Sequence, residues 1–295
     1  MEVPTRRYRS ADEDSARWDR FDLRRGDVVI STRSKHGTTW VQAICAMFIH
    51  GSPELPAPLA ELSPWLDWLV EPIDDVVARL DDQPDRRVIK THTPLDGVPI
   101  DPAASYIVVA RDPLDAAVSL YHQGRNLDRA RMAELTGRPE VAAVEATRRP
   151  VDAWLRAWVA ADADPVEDLD SLRGVFHHLA DAWARRHEPN VHLVHYADLS
   201  SDLDREMSRI AGLLGVDPAA LPWASLVGAA TFGAMSRRAE RVVPDRFGVL
   251  VDRGRFFRRG ALGEGEELLD TRARARYRDR VASLAPGDLL EWLLR

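Results

Sequence analysis

The chain has 295 residues, 45% hydrophobic and 29% charged, with a net charge of −7 and one cysteine. That length supports a large core and fits a single α/β domain, here residues 1–295. The acidic balance disfavours a nucleic-acid binder, Cys45 alone excludes an intramolecular disulfide or a Cys-cluster metal site, and no apolar run approaches the roughly 20 residues of a membrane span. The N-terminus is polar and lacks a signal peptide's apolar region, so a cytoplasmic location is expected.

Residues 1–26 are charged and peripheral in character. Residues 27–50, DVVISTRSKHGTTWVQAICAMFIH, predict a buried strand over 27–32, a polar turn over 33–37 and a helix from about Thr38. A strand that passes through a Gly turn into a helix builds an anion site. The first helical N–H groups have no backbone partner, and the helix dipole places partial positive charge there. Lys35 adds a full charge, Gly37 lets the backbone curl, and Thr38 and Thr39 add hydroxyls. Trp40 offers a flat face for an aromatic base. The nucleotide pattern G-x-x-x-x-G-K-[ST] is absent, and no acidic magnesium ligand is evident. An ordinary helix start with a core Trp is the plainer alternative. Cys45, among Ile44, Ala46 and Met47, belongs to a core.

A Pro-rich stretch follows, then a helix over 73–80 after Pro72. Residues 87–90 predict a short strand ending in K-T-H-T-P. His92 at that end, two residues beyond Lys90, can take a proton from an attacking hydroxyl. A surface His in a turn is the alternative. Residues 105–111, SYIVVAR, predict a fully buried strand, with Asp112 capping and Pro113 opening the next helix. Arg111 and Ser119 could meet one phosphate lying along that helix. An ion pair with Asp112 or Asp115 explains Arg111 equally.

Residues 127–172 are rich in Arg, Asp, Glu and Ala and punctuated by Pro. They predict an excursion over the sheet, a cap on the acceptor side. Further elements are a helix over 172–187, a strand over 191–196 and a helix over 201–214. Residues 216–262 predict irregular structure with short helices, followed by one or two terminal helices over 266–295. Arg258-Arg259-Gly260 follows Phe256-Phe257 and either closes over a phosphate or forms a solvated basic loop. Trp65 and Trp68, like Trp154 and Trp158, share faces if their stretches are helical. Core packing is their expected use. Lining the acceptor pocket is the alternative, favouring a lipidic or aromatic alcohol.

Strands alternating with helices predict an α/β fold: a P-loop-like three-layer sandwich with a central, mostly parallel sheet flanked by helices. Ligands bind at the carboxyl ends of such strands. Residues 35–39, residues 90–92 and Arg111 all fall there.

Four motifs then carry a resemblance. K-H-G-T-T-W (35–40), K-T-H-x-P (90–94), R-x7-S (111–119) and R-R-G (258–260) resemble, in order, the cytosolic-type sulfotransferases, which use 3′-phosphoadenosine 5′-phosphosulfate (PAPS). SPWLD, IKTHTPLDG and RDPLDAAVS resemble the actinobacterial (mycobacterial) glycolipid-sulfotransferase type. The resemblance spans residues 27–265. It implies transfer of the sulfuryl group to a hydroxyl of a small-molecule or lipid acceptor, by in-line displacement and without a metal. It places Lys35, His36, Gly37, Thr38 and Thr39 on the 5′-phosphosulfate. Trp40, Tyr196 and Phe232 would hold adenine. Arg111, Ser119, Arg258, Arg259 and Gly260 would hold the 3′-phosphate. His92 would be the base, with Lys90 and Lys35 stabilising charge.

Three departures stand out. His36 replaces a small Ser, and its side chain either points outward or narrows the site and slows exchange. Ala230 replaces a Thr, and Gly263-Glu264-Gly265 replaces Gly-Asp-Trp, which implies a looser lid. The C-terminal dimer signature is not evident, which leaves homodimerisation open. Two other readings compete. An ATP-using kinase would require magnesium, and a non-catalytic nucleotide-binding module would not need Lys35, Lys90 and His92.

Overall fold

Four short strands form one sheet: β1 (Val28–Ser31), β2 (Val88–Thr91), β3 (Ser105–Ala110) and β4 (Val191–His195), in the order β2-β1-β3-β4. This is a computed structural model, and it describes residues 1–137 and 149–295. Residues 138–148, part of the excursion expected over 127–172, lie outside the described residues. Every pairing is parallel. Register aligns Ser31 with Thr91 and with Val108, so the strands finish along one edge.

The strands are apolar because both faces are covered. Side chains alternate between two cores, as the two-residue strand period requires. Val29, Ile89 and Val108 pack on one face with Trp18, Leu80 and Phe176. Val28, Ile30, Val88 and Ile107 pack on the other, against Val41, Ile44 and Met47 of helix α1 (Thr38–His50). Cys45 is fully buried in that second core, as its neighbours imply. The three-layer α/β architecture is therefore the expected one.

Several boundaries differ by a residue or more, each with a cause. Asp27 and Arg87 lie just outside their strands and form a buried two-point pair, Arg87 Nη2 to Asp27 Oδ2 at 2.6 Å and Nε to Oδ1 at 2.9 Å. Such a pair fixes register, because breaking it leaves a buried charge. Arg111 follows β3, where Asp112 accepts from Leu114 N and Asp115 N to start the helix Pro113–Gly124. The helix predicted over 172–187 ends at Ala184. Tyr196 opens a short helix (Tyr196–Ser201) rather than closing β4, and the next helix runs Leu203–Leu213 behind an Asp202 cap.

Candidate active site

The turn after β1 is held open from beneath. Lys35 sits in the left-handed region with φ of 68°, and Gly37 has φ of 109°. A β-carbon at Gly37 would meet Tyr196 Cδ2 at 3.0 Å, so the position requires glycine twice over. Thr32 and Thr38 hydroxyls hydrogen-bond across the turn. No side chain caps α1, so its first amides are free for an anion. Lys35 Nζ lies 3.4 Å from Gln123 Oε1 and 4.0 Å from the centre of the Phe256 ring.

His36 is corrected by the structure. Its side chain turns inward and is 1% exposed, not outward. Its Nδ1 donates to the Ser34 carbonyl at 3.0 Å, which folds the ring under the turn, and burial pushes its pKa down to about 4. The ring is neutral and does not line the cavity.

The other predicted residues gather on one cavity of about 490 Å³. Lys35, Gly37, Thr38, Thr39, Trp40, Lys90, His92, Arg111, Ser119, Tyr196, Phe232, Arg258, Arg259 and Gly260 all line it. Arg111 Nη1 donates to the Lys35 carbonyl at 3.3 Å and Nη2 to the Ala261 carbonyl at 3.1 Å, while its guanidinium lies 4.3 Å from the Tyr196 ring centre. The ion pair with Asp112 or Asp115 considered for Arg111 is not made. Trp40 Nε1 donates to the Ala230 carbonyl at 2.8 Å and the ring meets Tyr196 edge-on at 5.3 Å. Gly260 has φ of 63°, and a β-carbon there would strike the Phe232 ring at 2.7 Å.

The lid is tied down rather than loose. Asp115, 2% exposed, accepts from Gly263 N and Gly265 N, each at 2.8 Å. A β-carbon at Gly265 would overlap the Leu114 backbone, so glycine in place of a large aromatic lets the loop seat directly on the helix. Glu264 pairs with Arg258, which is therefore not a solvated cation, whereas Arg259, with Nη1 3.6 Å from Glu264, stays largely exposed.

His92 is held in one tautomer. Its Nδ1 donates to the Thr32 carbonyl, which leaves the Nε2 lone pair unprotonated. Burial, then Lys90 and Arg33, hold its pKa well below the ordinary histidine range. Lys90 lies 3.7 Å over the Trp65 ring, and burial lowers its pKa to about 8. Lys35 falls to about 7 through burial, then Arg111, Lys90 and Arg258. A site that lowers a lysine this far is short of negative charge.

Trp65 and Trp68 are not on a helix, so the condition under which they would share a helix face is not met. They lie beyond the short helix Leu59–Leu62, where Lys90 N donates to the Pro64 carbonyl at 3.0 Å and Leu66 N to the Lys90 carbonyl at 3.1 Å. They still stack, at 5.1 Å and 7°, and Trp65 meets His92 edge-on at 4.5 Å. Trp154 and Trp158 do share a helix face, on Val151–Ala160, stacked at 6.4 Å. Trp65, Trp68 and Trp154 line the cavity, so core packing is not their sole use.

Sequence reasoning missed Arg33, Asp115, Gln123 and Glu13. Arg33 is 3% exposed and joins the His92 carbonyl, the Leu169 carbonyl at 3.1 Å and Asp170 at 2.7 Å. Its position inside the turn was the available signal, but its partners lie far away in sequence.

A parallel sheet whose carboxyl edge brings an uncapped helix start, converging cations and a neutral imidazole into one cavity defines an anion-handling group-transfer protein. Residues 25–284 match the sulfotransferase domain family, and the chain belongs to it. It is 40% identical over 303 residues to a glycolipid sulfotransferase of Mycobacterium tuberculosis, covering 97% of this chain and 93% of that protein. Human sulfotransferase 2B1 is 27% identical, over 82% of this chain and 61% of that one. Two solved structures share the fold at 20% identity. Retinol dehydratase in complex with androsterone and the inactive cofactor PAP has a TM-score of 0.69, covering 91% of this chain and 83% of that one. A mouse sulfotransferase complexed with PAP has a TM-score of 0.68, covering 93% and 91%.

Proposed function

We propose that the protein moves the sulfuryl group of PAPS to a hydroxyl of a small-molecule or lipid acceptor by in-line displacement, with His92 as the base. The observation that carries this reading is the fixed tautomer of His92. Its Nδ1–H is committed to the Thr32 carbonyl, and its Nε2 is free on the cavity that also holds the Lys35 turn. The residues present suit the donor. An uncapped α1 and Lys35 suit a 5′-phosphosulfate, Trp40, Tyr196 and Phe232 an adenine, and Arg111, Ser119 and residues 258–260 a 3′-phosphate. His36 is left to shape the turn from below.

In this reading His92 Nε2 takes the proton of the acceptor hydroxyl as its oxygen bonds to sulfur. Lys35 offsets charge on the bridging oxygen as the bond from sulfur breaks and 3′-phosphoadenosine 5′-phosphate (PAP) leaves. Lys90 stabilises charge beside the base. Positioning and electrostatics supply most of the acceleration, as in phosphoryl transfer. In this reading Leu127, Arg129, Met132, Trp154 and Asp170 cap the acceptor side, and the chain forms one domain around the sheet. The relatives named glycolipid sulfotransferases support a lipid-bearing acceptor.

Incubation with radiolabelled PAPS and a panel of alcohols tests the assignment. Label transfer to an alcohol without magnesium is expected. Transfer only from ATP with magnesium would overturn it.

A further inference from the structure

The cavity also holds a carboxyl group that neither the base nor the anion site uses. Residues 12–14 run antiparallel to residues 67–69. Asp14 N donates to the Asp67 carbonyl and Leu69 N to the Asp12 carbonyl, both at 2.9 Å, with Glu13 bridged to Trp68. Trp65, in the same stretch, is bridged to Lys90. This strap brings Glu13 from the peripheral N-terminal region onto the wall that carries Lys90 and His92.

The Glu13 side chain is only 15% exposed. Its ion-pair partner among the described residues is Arg33, with Nη1 at 3.7 Å, beyond hydrogen-bond reach. Arg33 already donates to His92, Leu169 and Asp170. No hydrogen bond from a described residue reaches the Glu13 carboxyl. Burial, opposed by Arg33, raises its pKa to about 8, so at neutral pH it is largely protonated. A protonated carboxyl both donates and accepts. Nearly all buried polar groups find partners, and this one opens onto the acceptor cavity.

A hydroxyl matches it, since one oxygen both donates and accepts. The hydroxyl to be sulfated is already engaged by His92, so Glu13 needs another. We propose that Glu13 is a specificity-determining residue that binds a second hydroxyl of the acceptor, which makes the acceptor a polyol such as a sugar ring rather than a simple alcohol or phenol. Asp12 extends this polar edge and pairs with Arg129 at 3.5 Å. Met132, Trp154 and Val249 line the same cavity and give an attached apolar chain a surface. The proposal rests on the sulfotransferase reading for the place of His92.

The test compares octyl β-D-glucopyranoside with 1-octanol by calorimetric titration of the full chain saturated with PAP. The wild type is expected to prefer the glucoside by ~10-fold or more, Glu13→Ala to reduce the ratio below ~2, and Glu13→Gln, whose amide also donates and accepts, to restore most of it. A purely structural role predicts equal losses for both probes, with a lowered melting temperature. Equal losses, a wild-type ratio near one, or a ratio unchanged in Glu13→Ala would each overturn the proposal. Failure of the wild type to bind PAP would instead remove the donor assignment. The glucoside-to-octanol ratio, measured without nucleotide, would still decide the role of Glu13.

Discussion

The two parts of the cavity are built in opposite ways. In the proposed reading the nucleotide part rests on short backbone motifs, each local in itself: the 33–37 turn with the start of α1, the residue after β3 and the 258–265 loop. The proposed acceptor part is assembled from side chains brought together over long sequence distances, by the 12–14 strap, by residues 64–69 and by Leu127, Arg129, Met132, Trp154 and Asp170. The nucleotide part is chiefly a backbone scaffold, which tolerates few changes of geometry. The acceptor part is a lining, which can be exchanged side chain by side chain.

Four measurements can break or sharpen that contrast. The largest effect is expected at the boundary. His92→Ala should lower turnover by ~10²–10⁴ while PAP affinity stays within about twofold. A matching loss of PAP affinity in calorimetry would mean that the two parts are not separable. Next, Arg111→Ala should weaken PAP by roughly 10–100-fold, the loss of a charged hydrogen bond, and AMP far less. Equal losses would contradict the assignment of Arg111 to the 3′-phosphate.

A smaller effect is expected at Gly265. Its replacement by Ala forces the lid off Leu114 and Asp115, at about 1–3 kcal/mol. Hydrogen exchange should quicken over residues 261–267, and PAP should bind more weakly. Unchanged exchange there would show that Asp115 does not secure the lid. The smallest signal concerns protons. Lys35 is near 7 when the site is empty, so at pH 8 it is mostly neutral. A bound phosphate raises that pKa, because an opposite charge favours the protonated form. PAP binding at pH 8 should therefore take up a fraction of a proton, and at pH 6, where Lys35 is already charged, almost none. Titrations in buffers of different ionisation enthalpy measure this, and equal uptake at both values would remove Lys35 as the source.

Legibility followed the same division. The turn, the Lys90–His92 strand end, the Asp112 cap and the buried strands could be read because each is a local pattern with a local cause. The spacing of Trp65 and Trp68 left a shared helix face open, because nothing local shows that Lys90 N donates to the Pro64 carbonyl and Leu66 N to the Lys90 carbonyl, which draws the segment along β2 instead. The outward His36 failed because nothing local announces that a ring will fold back to its own Ser34 carbonyl. The looser lid failed because Asp115 lies about 150 residues away in sequence. Arg33 and Glu13 went unseen for the same reason, since their partners are distant. Local chemistry is written where it acts, but a wall shared by distant segments is written nowhere in particular.

The left-handed Lys35 has a further meaning for how this chain is selected. A residue with a β-carbon loses about 1–2 kcal/mol in that conformation, which glycine would largely avoid. Lys35→Gly should therefore give a chain that folds at least as well and does nothing. A search for sturdier variants would favour that change, and a search for working ones would reject it. Tolerance to heat and retention of activity should rank substitutions at this position in opposite orders, so a screen that scores only soluble yield would drift away from the enzyme.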